Sequence, residues 1–230
     1  MDGLSKNILT SKKVINACLD LLFPPSLYCI CCGNIIDGTR MYELCDHCIR
    51  HIRWDTEPPR EINGMKVLRC SEYGIYERTI IFSLKYNGKT YIARDVAEII
   101  RDRIEPEQLN YDVIVPVPLS RQREMSRGFN QTALIGKYLA SMTEKSYAAG
   151  ALKRTRDTRP MRSLSPTERV VNVKDAFAPG GEPDLEKIKN KRVLLIDDFF
   201  TTGSTALECR RVLMKAGASD VVFVAFAARY

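Results

Sequence analysis

The stretch VLLIDDFFTTGST, residues 193–205, sets four apolar residues before two adjacent carboxylates and closes on five small or hydroxylated residues. It constrains the fold more than any other feature of the chain. RVLLI is a short apolar run, the pattern of a parallel strand covered on both faces. STALECRRVLMKAG after it has helical spacing, with Ala206, Cys209, Arg210 and Leu213 on one face and Gly217 as the stop. The hydroxyl-rich segment is therefore the turn between a strand and a helix. There a ligand meets the carboxyl end of the strand, and free backbone N–H groups with the helix dipole favour a phosphate. Gly203 allows close approach of the backbone. Asp197 and Asp198 stand where they can accept from a diol or hold a cation, and adjacent acids at a buried strand end need such a partner. The bland reading, an ordinary turn with a capping threonine, leaves the two acids without a purpose.

A second local pattern lies near the start. Cys29-x-x-Cys32 and Cys45-x-x-Cys48 are two knuckles separated by twelve residues, the ligand spacing of a tetrahedral zinc site. Gly33 permits the tight turn after Cys32. Cys31 could replace a neighbour, but the spacing favours Cys29 and Cys32. His47 sits inside the second knuckle, where ligation geometry is poor. The rivals are a disulfide pair, which needs an oxidising compartment, and a redox CxxC, which comes singly. Four protein ligands leave no open position, so the expected zinc is structural. Cys18, Cys70 and Cys209 read as packing residues.

The 230 residues suffice for one α/β domain with a small appendage, and no apolar run approaches the ~20 residues of a membrane span. TSKKVINACLDLLFPP reads as an amphipathic helix (Val14, Cys18, Leu21, Leu22) ended by Pro24-Pro25. It does not read as a targeting segment, and the expectation is a cytoplasmic protein without membrane insertion. Net charge is +7, which suits an anionic ligand. Basic residues crowd LKRTRDTRPMRSLSPTER without an interleaved aromatic, which favours phosphate contact over base stacking. SEYGIYERTIIFSLKYNGKTYIARDVAEII reads as a short strand and two helices broken at Asn87-Gly88, with Lys85 and Lys89 either facing the anionic site or solvated. YDVIVPVPLS is a buried strand turned by Pro116 and Pro118. RGFNQTALIGKYLASM is a helix capped by Asn130, with Phe129, Ala133, Gly136, Lys137 and Ala140 on its face. AGAL and NVKDAF start further strands, SPTERVV is a helix, and DVVFVAFAA is the last strand. This order predicts a doubly wound parallel sheet. The expected boundaries are 1–55 for the helix and zinc-binding module, 56–110 for a connecting α+β segment, and 111–230 for the sheet domain.

VLLIDDFFTTGST resembles the phosphoribosyl pyrophosphate (PRPP) motif of type I phosphoribosyltransferases, with Phe199-Phe200 where that family often has smaller aliphatics. The double CxxC, LKYNGK, VPVPLS, RGFNQ, LKRTRDTRPM and LSPTERVVNVKDAF, in that order, resemble the ComF family of competence-associated proteins. Met161 stands where that family commonly has a glutamine. The resemblance implies a phosphoribosyltransferase-type sheet, Mg2+ accompanying PRPP, and Asp197 and Asp198 on the ribose hydroxyls. It places the 5′-phosphate on Thr201, Thr202, Gly203, Ser204 and Thr205, and the pyrophosphate at the turn Val117, Pro118, Leu119, Ser120. Arg154, Arg156, Arg159 and Arg162 would belong to a flexible loop that closes over pyrophosphate. It implies a role in DNA uptake or nucleotide metabolism, with a non-catalytic PRPP- or single-stranded-DNA-binding competence protein as the alternative. Partners would be PRPP and, on the alternative, single-stranded DNA or the competence machinery.

Overall fold

The structure, a computed structural model, describes residues 27–86, 88–158 and 164–229. The expected N-terminal helix, Cys18, Asn87, Met161, Arg159 and Arg162 lie outside the described residues. The chain forms two compact units, residues 1–50 and 51–230.

In the first unit the chain doubles back on itself. Tyr28 bridges Ile35 in antiparallel fashion, Cys29 N–H donates to Asn34 O at 2.8 Å, and Gly33 N–H donates to Cys29 O at 2.9 Å. Gly33 closes this turn at φ +76°, a conformation that side chains resist. A one-turn 3-10 segment (Met41–Glu43) leads to α1 (Asp46–His51). Among the described residues of this unit Ile30, Ile36 and Leu44 are the buried aliphatics.

The second unit opens with β1 (Arg60–Ile62) and β2 (Met65–Glu72), then α2 (Ile75–Tyr86), α3 (Ile92–Ile104), β3 (Val113–Pro116), α4 (Arg121–Arg127), α5 (Gln131–Thr143) and β4 (Ser146–Tyr147). It continues with β5 (Leu152–Arg154), α6 (Pro166–Val173), β6 (Phe177–Pro179), α7 (Glu182–Ile188), β7 (Arg192–Phe200), α8 (Ser204–Lys215) and β8 (Asp220–Ala228). The main sheet runs β1-β2-β8-β7-β3-β4, parallel throughout except for the antiparallel edge hairpin β1–β2. β7 and β8 are its centre, and their continuous apolar runs are covered on both faces. Alternate residues define two layers. Val193, Leu195, Val221 and Phe223 pack with Cys209, Val212 and Leu213 of α8. On the other face Ile196 points at Gly136 of α5, and α3 packs beside α5. The expected α/β sheet with helices on both faces is the observed one.

Three details differ. The AGAL and NVKDAF strands, β5 and β6, do not enter the parallel sheet but pair antiparallel with each other, Leu152 opposite Pro179 and Arg154 opposite Phe177. Each is three residues long, too short to show a burial period. Of the expected face of α5, Gly136 and Ala140 are buried, with Gln131, Thr132, Ile135 and Leu139 beside them, whereas Ala133 is half-buried and Lys137 exposed. Phe129 precedes the helix because Asn130 is its cap, accepting from Thr132 N–H at 3.0 Å. On α8, Arg210 leaves the packed face and donates to Asn63 O and Gly64 O of the β1–β2 turn. Within 56–110, the expected connecting α+β segment, lie β1, β2, α2 and α3, and β2 pairs with β8. The remaining helices match their signals, α6 with a full capping box between Ser165 and Glu168.

Candidate functional site

β7 delivers Asp197 and Asp198 to the carboxyl end of the sheet centre. Phe199 stacks on Tyr73 at 4.4 Å and Phe200 on Phe223 at 5.5 Å, which pins the strand end beside the acids. The chain then turns through Thr201, Thr202 and Gly203 into α8. Gly203 adopts φ +81°, and a Cβ there would lie 3.2 Å from Phe200 Cζ, so only glycine fits. As the N-cap of α8 it brings no side-chain acceptor, so the first-turn N–H groups have no side-chain cap. Thr202 and Ser204 hydroxyls share a hydrogen bond at 2.8 Å. Residues 201–205 line a small cavity of about 20 Å³ floored by Phe200 and Phe223.

The acids are unequal. Asp198 is buried, ion-paired with Lys85 Nζ, and accepts from Gln131 Nε2 at 3.1 Å. Asp197 accepts from Asp198 N–H at 2.8 Å and from Thr132 Oγ1 at 3.5 Å. Burial, and then the Asp198 charge, push the Asp197 carboxyl up to about 8, with Lys85 opposing the rise.

A cavity of about 180 Å³ opens above the acids. Of the residues expected at the site, Asp197, Asp198, Thr201, Thr205, Val117, Pro118, Leu119 and Arg154 line it. Thr202, Gly203 and Ser204 line the small cavity next to it. Ser120 caps α4 from the end of the 117–120 turn; its Oγ is buried and lacks a hydrogen-bond partner. Arg123, Arg127 and Gln131 join the wall without having been assigned from sequence, and Lys85, left open between the site and solvent, lines it as well. Arg127 donates to Gln131 Oε1 and Tyr86 Oη, both at 3.0 Å, and lies over the Tyr86 ring. Arg123 donates to Thr158 O at 3.3 Å, and Arg154 to Thr158 Oγ1. Among the described residues none of these three guanidiniums is in an ion pair. Burial, and then the charge of Arg123, lower the Arg154 pKa, which marks a site short of anions. Of the four arginines expected in one flexible loop, Arg154 ends β5 and lines the cavity, whereas Arg156 is exposed and donates to Lys174 O at 2.8 Å. Arg154 lies opposite Phe177 in the antiparallel β5–β6 pair.

In the first unit the Sγ atoms of Cys29, Cys32, Cys45 and Cys48 all lie within 4.8 Å of one another. Cys32 and Cys45 Sγ are 3.7 Å apart, and a tetrahedron with Zn–S bonds of about 2.3 Å has edges of about 3.8 Å. Burial would push the Cys29 thiol up, but backbone N–H groups of Cys32, Cys45 and Cys31 bring it down to about 7. Burial pushes the Cys31 thiol up to about 11, and the Cys32 and Cys48 thiols are pushed up as well, by burial first. The four-cysteine cluster is compatible with a zinc site.

No protein-family model matches the chain. It is 28% identical to Competence protein F of Haemophilus influenzae over 200 residues, covering 83% of this chain and 86% of that protein. It is 28% identical to the DNA utilization protein YhgH of Escherichia coli K12 over 199 residues, covering 84% and 80%. Against Competence protein ComFC of Bacillus subtilis it is 32% identical over 106 residues, 46% of this chain and 39% of that one. The chain is a homologue of the ComF and YhgH proteins. Among solved structures, a ComF homologue of this shape resembles the adenine phosphoribosyltransferase of Leishmania donovani, at 13% identity and a TM-score of 0.40 over 84% of this chain and 82% of that one. An adenine phosphoribosyltransferase from Thermoanaerobacter pseudethanolicus gives 12% and 0.39, covering 80% and 99%. Among the described residues no helix is long and apolar enough to cross a membrane.

Proposed function

We propose that this ComF homologue binds PRPP in the cavity above β7 and acts as a phosphoribosyltransferase in the use of imported DNA or in nucleotide metabolism. One observation carries the reading. Two adjoining cavities, which share Asp197, Phe199, Thr201 and Thr205, bring together the strand-end acids, the 201–205 turn at the start of α8, and three guanidiniums without an ion-pair partner among the described residues. That arrangement matches a ligand with a diol between two phosphate-rich ends. The acids accept from the ribose hydroxyls. The N–H groups and hydroxyls of 201–205 hold the 5′-phosphate. Arg123, Arg127 and Arg154, with the 117–120 turn, face the pyrophosphate and stabilise the charge that develops on it as the bond to the ribose C1 breaks. The homologues' names, a competence protein and a DNA utilization protein, supply the process.

The Mg2+ implied by the resemblance does not fit on the acid pair: Lys85 and Gln131 already hold Asp198, and a divalent ion would have to share the carboxylate with an ammonium group. No step is routed through it. Zinc fits the cysteine cluster, where it would be structural.

One observation favours the alternative reading as a single-strand binder. Exposed Phe82 and Tyr86 on α2 contact each other at 4.9 Å, and Arg127 covers Tyr86. This is the stacking platform that the basic run lacks. Calorimetry with PRPP tests the leading reading. Asp197→Asn with Asp198→Asn weakens binding by more than about 100-fold, from two charge-assisted bonds at about 1.5–3 kcal/mol each. Unchanged affinity in the folded double variant refutes it. Absence of PRPP turnover with any acceptor, together with salt-dependent DNA binding that Tyr86→Ala reduces, transfers the site to the alternative.

A further inference from the structure

Lys85 is the last basic residue of α2, and its Nζ pairs with Asp198 Oδ2. Both groups are well covered, with side-chain exposures of 18% and 7%. Gln131, 2% exposed, meets the same oxygen. The orientation of Gln131 is fixed from behind, because its Oε1 accepts from Arg127 and only its NH2 can face Asp198. Asp198 is therefore held by one full positive charge and one oriented amide. The cavity commits one of its four cations to the acids and leaves three for the ligand.

A diol donates more strongly to ionised acceptors, and two carboxylates on adjacent residues resist joint ionisation in a covered site. An ammonium group at Asp198 relieves part of that resistance. The same charge repels a second cation brought to within a few ångströms. Resting on the PRPP reading of the site, we propose that Lys85 is the resident counter-cation of the Asp197–Asp198 pair, so that the pair binds a ribose diol without a divalent metal ion. Metal that travels with pyrophosphate then stays on the phosphate oxygens of the ligand.

Ribose 5-phosphate separates these parts, since it carries the diol and the 5′-phosphate but no pyrophosphate. Its affinity for the full chain is measured by calorimetry in a magnesium-free buffer without chelator and in Mg2+, beside PRPP in Mg2+. The parent protein binds ribose 5-phosphate within about twofold in the two buffers. Lys85→Met weakens it about 10- to 100-fold in the magnesium-free buffer, and Lys85→Arg restores it to within about threefold. If Lys85→Met shows no thermal transition, the parent and Lys85→Arg in the magnesium-free buffer decide. Ribose 5-phosphate binding that is absent or vanishes without Mg2+ while PRPP still binds in Mg2+ overturns this inference and leaves the PRPP reading standing. Unchanged binding by folded Lys85→Met overturns it equally. A folded parent that binds neither compound in either buffer overturns the site reading, and this inference with it.

Discussion

Replacing Asp197 by asparagine should stabilise the ligand-free protein at pH 8 while removing a group the site needs. Burial and the Asp198 charge raise the Asp197 carboxyl from 3.8 to about 8. Between those values the folded chain holds a proton that the unfolded chain has released, so stability falls as pH rises through that window. Each pH unit there costs about 1.4 kcal/mol, or about 4 kcal/mol from pH 5 to pH 8. Asp197 is half-buried, and water relieves part of that cost; about 2 kcal/mol is the expected loss. Asparagine keeps the acceptor for Asp198 N–H and has no charge to bury. Urea denaturation of parent and Asp197→Asn at pH 5 and pH 8, without ligand, measures the difference directly. The advantage of the variant over the parent should grow by about 2 kcal/mol between pH 5 and pH 8. Curves that stay parallel between the two pH values, or a variant less stable at pH 8, refute the assignment of Asp197 as a carboxylate ionised against resistance.

The purified protein should carry one zinc by native mass spectrometry, and Cys29→Ser with Cys45→Ser should lose it; zinc retained in full by that variant sinks the site. Arg154→Gln should weaken PRPP binding about 10- to 100-fold in calorimetry, whereas Arg156→Gln, which alters an exposed contact to Lys174 O, should stay within about twofold. Equal losses in the two would restore the loop grouping. Gly203→Ala should cost about 1–2 kcal/mol by urea denaturation, because φ +81° and Phe200 Cζ at 3.2 Å both oppose a methyl group. A variant as stable as the parent would show that the turn relaxes.

The parts legible in sequence are contiguous. A strand, two acids, a turn and a helix follow one another between Val193 and Lys215, so local pattern carries them. The cysteine cluster is likewise two short knuckles brought together by a tight turn. The basic wall has no such signature. Lys85, Arg123, Arg127 and Arg154 come from α2, α4 and β5, and lysine and arginine are ordinary on any surface. α4 buries none of its residues, so RQREMSR shows no apolar period. Gln131 carries no local signal of burial at the start of a helix, and the strand opposite it makes it a buried donor. β5 and β6 were visible as strands but not as each other's partners, since three residues do not encode a register.

The place of β8 between β2 and β7 governs when a growing chain can own this pocket. β2 emerges early and β7 late, and they are joined only through a strand that is synthesised after both. α2 follows β2 directly, so Lys85 has no fixed place until β8 is laid down. A nascent chain has therefore already exposed Asp197 and Asp198 while their counter-charge is still unanchored. Such non-local pairing makes for slow, all-or-none assembly. Cofactor-like ligands cannot template a half-built version of this site, and a ribosome-stalled chain that lacks β8 should bind nothing the finished protein binds.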